Sequence, residues 1–114
     1  MDNLEIIDCD NNYNYIVICK NSKPLYLFEQ ELVEYIGQGK KVLLDRLFLS
    51  KNGVNRYIEM SIINNKPIYS TPLNINSNII NLIDDYFKKN IILIQSNLCL
   101  NKNFKEKLIK EYSI

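Results

Sequence analysis

The sequence predicts an α+β domain in which a mostly antiparallel sheet of hairpins carries two to three helices on one side. Short apolar runs alternate with turn-forming Asn, Gly and Pro residues, which is typical of β-hairpins. Other segments repeat apolar residues at helical spacing. The 114 residues, of which 46% are hydrophobic and 24% charged, are predicted to form a single domain over 1–114 with its own core.

The first third of the chain predicts two strands and a helix. Residues 4–9 and 13–20 flank a turn of Asx residues, and the continuous apolar core of the second run predicts an interior strand. Residues 25–28 form either a short third strand or the approach to a helix. Glu29–Ile36 has apolar residues three and four apart, and Gly37 is placed to end that helix.

A three-stranded meander is predicted over residues 41–71. Residues 41–50 and 54–63 are rich in apolar residues, and Asn52-Gly53 between them favours a hairpin turn. A second turn at residues 64–66 leads into a short strand over 67–71, whose Pro67 suits the edge of a sheet because proline donates no backbone hydrogen bond.

The last part of the chain predicts a helix over 77–89 that Asn90 ends, a buried strand over 91–95 and a helix over 103–112. The complete order is ββ(β)αβββαβα, and the only parallel crossover it suggests runs from the meander through the 77–89 helix. The inward residues of the last helix are predicted to be Phe104, Leu108, Ile109 and Tyr112.

The residue types that the chain lacks exclude several classes of chemistry. There is no histidine, which excludes Ser-His, Cys-His and zinc-histidine sites. The three cysteines form no Cys-x-x-Cys pair, and we expect reduced thiols, with a Cys9–Cys19 disulfide as the minor alternative. We therefore expect no enzyme activity, no metal and no cofactor.

Two short motifs imitate ligand-binding loops but depart from them. Residues 8–12 carry oxygen ligands like the start of a calcium loop, yet Tyr13 replaces the required Gly and Cys19 the bidentate Glu. Residues 37–41 hint at a phosphate loop, but a helix precedes them and no hydroxyl follows Lys40. A turn and a helix end explain both motifs.

Asp45 is the strongest candidate for acid–base chemistry, because it shares a leucine-rich face of its strand. With Arg46, Arg56 and Glu59 it could form a general base and phosphate clamp in a histidine-free nuclease. The interpretation that we favour is a ladder of cross-strand salt bridges on an exposed sheet face.

The distribution of charge is the main indication of function. Residues 1–34 have a net charge of −5, residues 35–83 of +4 and residues 84–114 of +2, within a total of +1. A basic meander with tyrosines is typical of nucleic-acid platforms and of surfaces that steer a protein partner. The candidate partner-binding residues of this meander are Lys40, Lys41, Arg46, Lys51, Arg56, Tyr57 and Lys66. The alternative partner surface is the acidic helix, with Glu29, Glu31 and Glu34.

These observations predict a small protein-binding domain that inhibits a host or toxin protein by steric occlusion. The many Asn, Ile and Lys residues and the absence of Ala are typical of AT-rich coding, which fits a phage- or plasmid-borne anti-defence or immunity protein. The alternative is a nucleic-acid-binding module that uses the basic meander over 40–66. A homodimer that pairs the edge over 67–71 is a third hypothesis.

A cytoplasmic location without a membrane segment is expected. The first ten residues carry acidic and no basic side chains, unlike a signal peptide. The longest apolar runs, such as 91–94, are far shorter than the roughly 20 residues that cross a bilayer.

Overall fold

Over the residues that it describes, the computed structural model contains a five-stranded sheet and three helices. It describes residues 4–9, 12–20, 23–46, 56–73, 75–96 and 102–112, without the side chains of 92–96, 104 and 105. The strands are β1 (Leu4–Asp8), β2 (Tyr15–Cys19), β3 (Lys41–Asp45), β4 (Tyr57–Ile63) and β5 (Lys66–Ser70). The helices are α1 (Glu29–Ile36), α2 (Ser77–Ser96) and α3 (Lys102–Tyr112), and a 3₁₀ turn over Leu25–Leu27 leads into α1.

The strands lie in the order β1-β2-β3-β4-β5 across the sheet. The β1–β2, β3–β4 and β4–β5 pairs are antiparallel, whereas β2 and β3 are parallel and α1 forms the crossover between them. The α+β class, the mostly antiparallel sheet and the order of the elements from β1 to α2 are confirmed. The crossover was expected later in the chain. It lies at α1 instead. The single helix between β2 and β3 returns the chain to the end of the sheet at which β2 started, so β3 runs parallel to β2.

The helices lie on opposite faces of the sheet, so the prediction that they all pack on one side is wrong. α1 packs through Leu32 against one face, in a cluster with Val17. α2 packs through Phe87 against the other face, with Ile16 and Leu43, and α3 joins it there. The reason is that β2 and β3 are apolar on both faces, and each face has to be covered.

The predicted strand over residues 91–95 is also wrong, because these residues continue α2. Asn90 does not end that helix. Its side-chain Nδ2 donates a hydrogen bond to the carbonyl oxygen of Tyr86, four residues earlier, at 2.9 Å. This bond satisfies the amide inside the helix, and a short apolar run suits a buried helix as well as a strand.

Cys9 and Cys19 are both buried, on opposite faces of the sheet. The register pairs Leu4 with Cys19 and Asp8 with Tyr15, so the two cysteines lie at opposite ends of the β1–β2 hairpin. That separation excludes the alternative disulfide.

Several predictions fall outside the described residues. They concern the strand ends and turn over 47–55, part of the loop over 8–12, Cys99, and the side chain of Phe104. In α3, Leu108 and Tyr112 are buried as predicted, whereas Ile109 is exposed. Within the described part of the chain, no helix combines the length and hydropathy that crossing a membrane requires.

Candidate functional site

Asp45 and Arg56 form a buried ion pair at the end of β3. Arg56 donates from Nε to Asp45 Oδ1 and from Nη2 to Oδ2, both at 3.0 Å. The Asp45 side chain is 0% exposed and that of Arg56 is 16% exposed. The guanidinium also lies 4.9 Å from the ring centre of Tyr57 and 5.7 Å from that of Phe87. The cross-strand pair therefore forms, but inside the protein rather than on an exposed face.

The environment of this pair keeps the Arg56 guanidinium charged. Burial acts to lower the pKa of Arg56, but the hydrogen bonds and the charge of Asp45 outweigh burial and raise that pKa above its ordinary value. Both carboxylate oxygens of Asp45 are bound by one guanidinium in a bidentate pair. A carboxylate held in this way, away from solvent, is poorly placed to take a proton from a substrate.

Glu59 belongs to a different polar cluster, which reaches the surface. Lys41 Nζ lies 2.6 Å from Glu59 Oε1, and the Tyr13 hydroxyl donates to Glu59 Oε2 at 3.0 Å. Lys41 Nζ also lies 5.5 Å from the centre of the Tyr13 ring. The three side chains line a groove of about 520 Å³. Asp45 and Glu59 are thus engaged by separate cations, and the set expected for a nuclease is divided between two clusters.

The free energy of unfolding is expected to fall as the pH rises above about 9. Burial, together with the hydrogen bond and negative charge of Glu59, raises the pKa of Tyr13 from 10.0 to about 12. Burial and the charge of Asp45 raise the pKa of Cys19 from 9.0 to about 12. The unfolded chain therefore loses these protons first, so both groups stabilise the fold fully below pH 9 and progressively less up to pH 12.

Urea unfolding at a series of pH values between 7 and 12 measures this effect. Tyr13→Phe should reduce the loss of stability between pH 10 and 12, whereas Tyr26→Phe, at a side chain that is 72% exposed, is the matched control. The prediction is contradicted if Tyr13→Phe and Tyr26→Phe follow the same pH dependence.

The face of the sheet that α2 and α3 cover is open toward β5. Leu43 and Tyr57 pack under these helices, and side chains two residues apart share a face. The register then places Ser61 opposite Ile68 on this face. Ile68 is 50% exposed and Ile63 is 48% exposed. We define the open face as Lys41, Glu59, Ser61, Ile63, Lys66, Ile68 and Ser70.

Three lysines of the basic meander lie at one end of the sheet. Lys41 and Lys66 belong to the open face, and Lys41 is engaged by Glu59. Lys40 immediately precedes β3, and its carbonyl oxygen accepts a hydrogen bond from the Ile62 N–H. Lys40 and Lys66 are both exposed.

The other residues of the basic meander lie elsewhere. Arg56 is engaged by Asp45, and Tyr57 packs against the cluster under α2. Arg46 follows β3 at its far end and is half-buried. Lys51 lies outside the described residues.

The acidic helix borders a second groove, which the sequence did not reveal because it arises where α1 meets β5. Its volume is about 490 Å³. The Tyr69 hydroxyl donates to Glu29 Oε2 at 2.6 Å, and Gln30 Nε2 donates to Glu34 Oε1 at 3.4 Å. Glu31 is exposed and does not line this groove. The α1–β5 groove is lined by Glu29, Gln30, Val33, Glu34, Gly37, Asn65 and Pro67.

The described residues contain no group of three or more acidic or cysteine side chains placed to hold a metal ion. Comparison with protein-family models, with curated proteins and with solved structures found no match for this chain. The two surfaces at β5 are therefore the features from which a function can be inferred.

Proposed function

We propose that this chain is a non-catalytic protein-binding domain that docks its partner on the open face and acts by steric occlusion. The observation that carries the proposal is the exposure of Ile63 and Ile68, which are diagonal neighbours on β4 and β5. Leu73, just beyond β5, is 90% exposed and lines the adjoining groove. Exposed aliphatic side chains grouped on a rigid sheet and bordered by charges are typical of protein interfaces.

The contacts that Asp45 and Glu59 make support a binding role over a catalytic one. Asp45 is enclosed and bound by Arg56, and Glu59 is bound by Lys41 and Tyr13. Both carboxylates are accounted for by contacts that stabilise the folded chain. A surface that carries no reactive group of its own can still inhibit a partner by covering its active site.

The composition of the open face supports a protein partner over a nucleic acid. Sheet platforms for nucleic acids combine net positive charge with exposed aromatic rings on which bases stack. Glu59 offsets the charge of Lys41, and the open face as defined contains no aromatic residue. A nucleic-acid-binding module remains the second candidate because Lys40 and Lys66 are exposed at the same end of the sheet.

The test is affinity capture from a lysate of the organism that encodes the chain, with and without nuclease. Ile68→Glu places a charge in the open face. Ile109→Glu, at a position on α3 that is 42% exposed, is the matched control. We expect a nuclease-resistant protein that the wild type and Ile109→Glu retain, and that Ile68→Glu binds about tenfold or more weakly because a charge is buried in the interface.

The outcomes distinguish the two candidates once urea unfolding has shown that both variants fold. A partner that Ile68→Glu retains as well as the wild type would contradict docking on the open face. A nuclease-sensitive capture that Lys66→Glu weakens would instead support the nucleic-acid candidate. The origin in a phage or plasmid, and the role as an anti-defence or immunity protein, stay predictions that the identity of the captured protein would test.

A further inference from the structure

Among the described residues, β5 is the last strand of the sheet, and part of its backbone faces away from β4. The N–H of Ile62 donates to the carbonyl of Lys40 at 3.0 Å, and its carbonyl accepts from the N–H of Gly39 at 2.9 Å, so the Ile62 backbone points toward β3. Its partner on β5 is Pro67. The backbone groups of Pro67 and Tyr69 therefore point to the outer edge of the described sheet.

The turn between β4 and β5 also indicates that the backbone groups of Pro67 and Tyr69 point away from β4. Asn64 and Asn65 both have positive φ, 55° and 59°, as in a two-residue type I′ hairpin whose flanking residues bond to each other. Because hydrogen-bonded and non-hydrogen-bonded pairs alternate along an antiparallel ladder, the carbonyl of Pro67 and the N–H and carbonyl of Tyr69 lie on the outer edge. An added strand can bond to these three groups.

The α1–β5 groove lies beside this edge. The side chains of Pro67 and Tyr69 face α1, as the hydrogen bond from the Tyr69 hydroxyl to Glu29 shows. Val33 and Pro67 form an apolar part of the groove lining. Because side chains alternate along a strand, every second side chain of a segment paired to β5 would enter the groove.

The negative charge of the groove favours a positively charged segment as the added strand. Glu29 and Glu34 line it, and its described lining contains no Lys or Arg. α1 itself holds three Glu residues and no basic residue. Lys66 does not line the groove, because it alternates onto the opposite face of β5.

We propose that an extended basic segment of a protein partner binds in the α1–β5 groove as a sixth strand of the sheet. Its main chain bonds to Pro67 and Tyr69, and Lys or Arg at alternate positions face Glu29 and Glu34. A second copy of β5 fits less well, because its side chains on that face, Pro67 and Tyr69, bring no cation. This site goes beyond the proposed docking surface, which lies on the other face of β5.

The probe is a fluorescein-labelled decapeptide with Lys at every second position and Thr or Val between. Its binding to the full chain is measured by fluorescence anisotropy. The double variant Glu29→Gln/Glu34→Gln should weaken binding about tenfold or more, because it removes both carboxylates that face the lysines. Glu31→Gln, on the same helix but outside the groove, is the matched control and should change binding by less than about twofold.

Backbone methylation separates strand addition from simple charge attraction. Methyl groups on the nitrogens of the Lys residues, or on those of the Thr and Val residues, block different edges of the peptide. One of these two peptides should bind about tenfold more weakly than the other, because only one set of N–H groups faces β5. Equal binding of the two peptides, or an unchanged affinity of Glu29→Gln/Glu34→Gln, would overturn the proposal.

Two further measurements complete the test. Sedimentation of the wild type should show a monomer, whereas a dimer that Tyr69→Pro disrupts would mean that a second copy occupies the edge, and this would overturn the proposal. Ile68→Glu should keep peptide binding within about twofold, because its side chain lies on the opposite face. The failure of one binding surface is thereby distinguishable from the failure of the other.

Discussion

Replacing Arg56 with Met is expected to lower the free energy of unfolding by about 3–5 kcal/mol. The substitution removes the bidentate hydrogen bonds to Asp45, whose side chain is 0% exposed, and leaves a carboxylate inside the protein without its counter-charge. A loss of that size is a large part of the roughly 5–15 kcal/mol that stabilises an ordinary domain. Urea unfolding followed by circular dichroism at pH 7 measures it.

Two further variants test whether Arg56→Met loses stability because the Asp45 carboxylate is buried. Asp45→Leu combined with Arg56→Met should recover most of the loss, since apolar residues can replace a buried ion pair at little cost. Lys41→Met breaks the ion pair with Glu59, in which the Lys41 side chain is 42% exposed, and should cost less than about 1 kcal/mol. If Arg56→Met costs no more than Lys41→Met, the buried pair does not stabilise the fold as we describe.

The same pair limits how the nucleic-acid candidate can be tested. Arg56 belongs to the basic meander in sequence, but Arg56→Glu would place a second negative charge beside Asp45 in the interior. Weaker binding by that variant would then report unfolding. Lys40→Glu and Lys66→Glu change exposed side chains and test the candidate directly.

Local patterns in the sequence predicted the elements whose residues interact with near neighbours. The structure has α1 at the predicted residues Glu29–Ile36, because its apolar spacing and Gly37, at φ 89°, define both the buried stripe and the end. Alternation along β3 also placed Asp45 on the same face as Leu43, which the packing under α2 confirms.

The features that depend on distant parts of the chain could not be predicted in this way. Counting back from Ile58 assigns Arg56 to the face that α1 covers, yet its guanidinium lies over Phe87 on the other face. β4 begins at Tyr57, so strand alternation does not extend to Arg56. The α1–β5 groove was missed for a similar reason, since it depends on how a helix packs beside a strand 30 or more residues away.

Phe87→Ala is expected to destabilise the fold by about 3–5 kcal/mol, because it leaves a cavity at a side chain that is 0% exposed. The Phe87 ring stacks on Tyr112 of α3, with centroids 4.8 Å apart, and lies 5.7 Å from the Arg56 guanidinium. It therefore connects both helices of this face with the buried ion pair. Leu82→Ala, on the same helix but 37% exposed, is the control and should cost less than about 1 kcal/mol in urea unfolding.

Phe87→Leu removes the ring while keeping an apolar side chain, and it should lose the stacking on Tyr112 and the contact with Arg56 with a smaller cavity. Because Arg56 and Phe87 are in contact, Phe87→Leu and Arg56→Met should be non-additive by about 0.5 kcal/mol or more. Strict additivity would contradict the coupling of α2 to the ion pair. α1 lies on the opposite face of the sheet, so a folded Phe87→Leu protein should still bind the basic decapeptide. Unchanged binding would show that the α1–β5 groove does not depend on the core beneath α2 and α3.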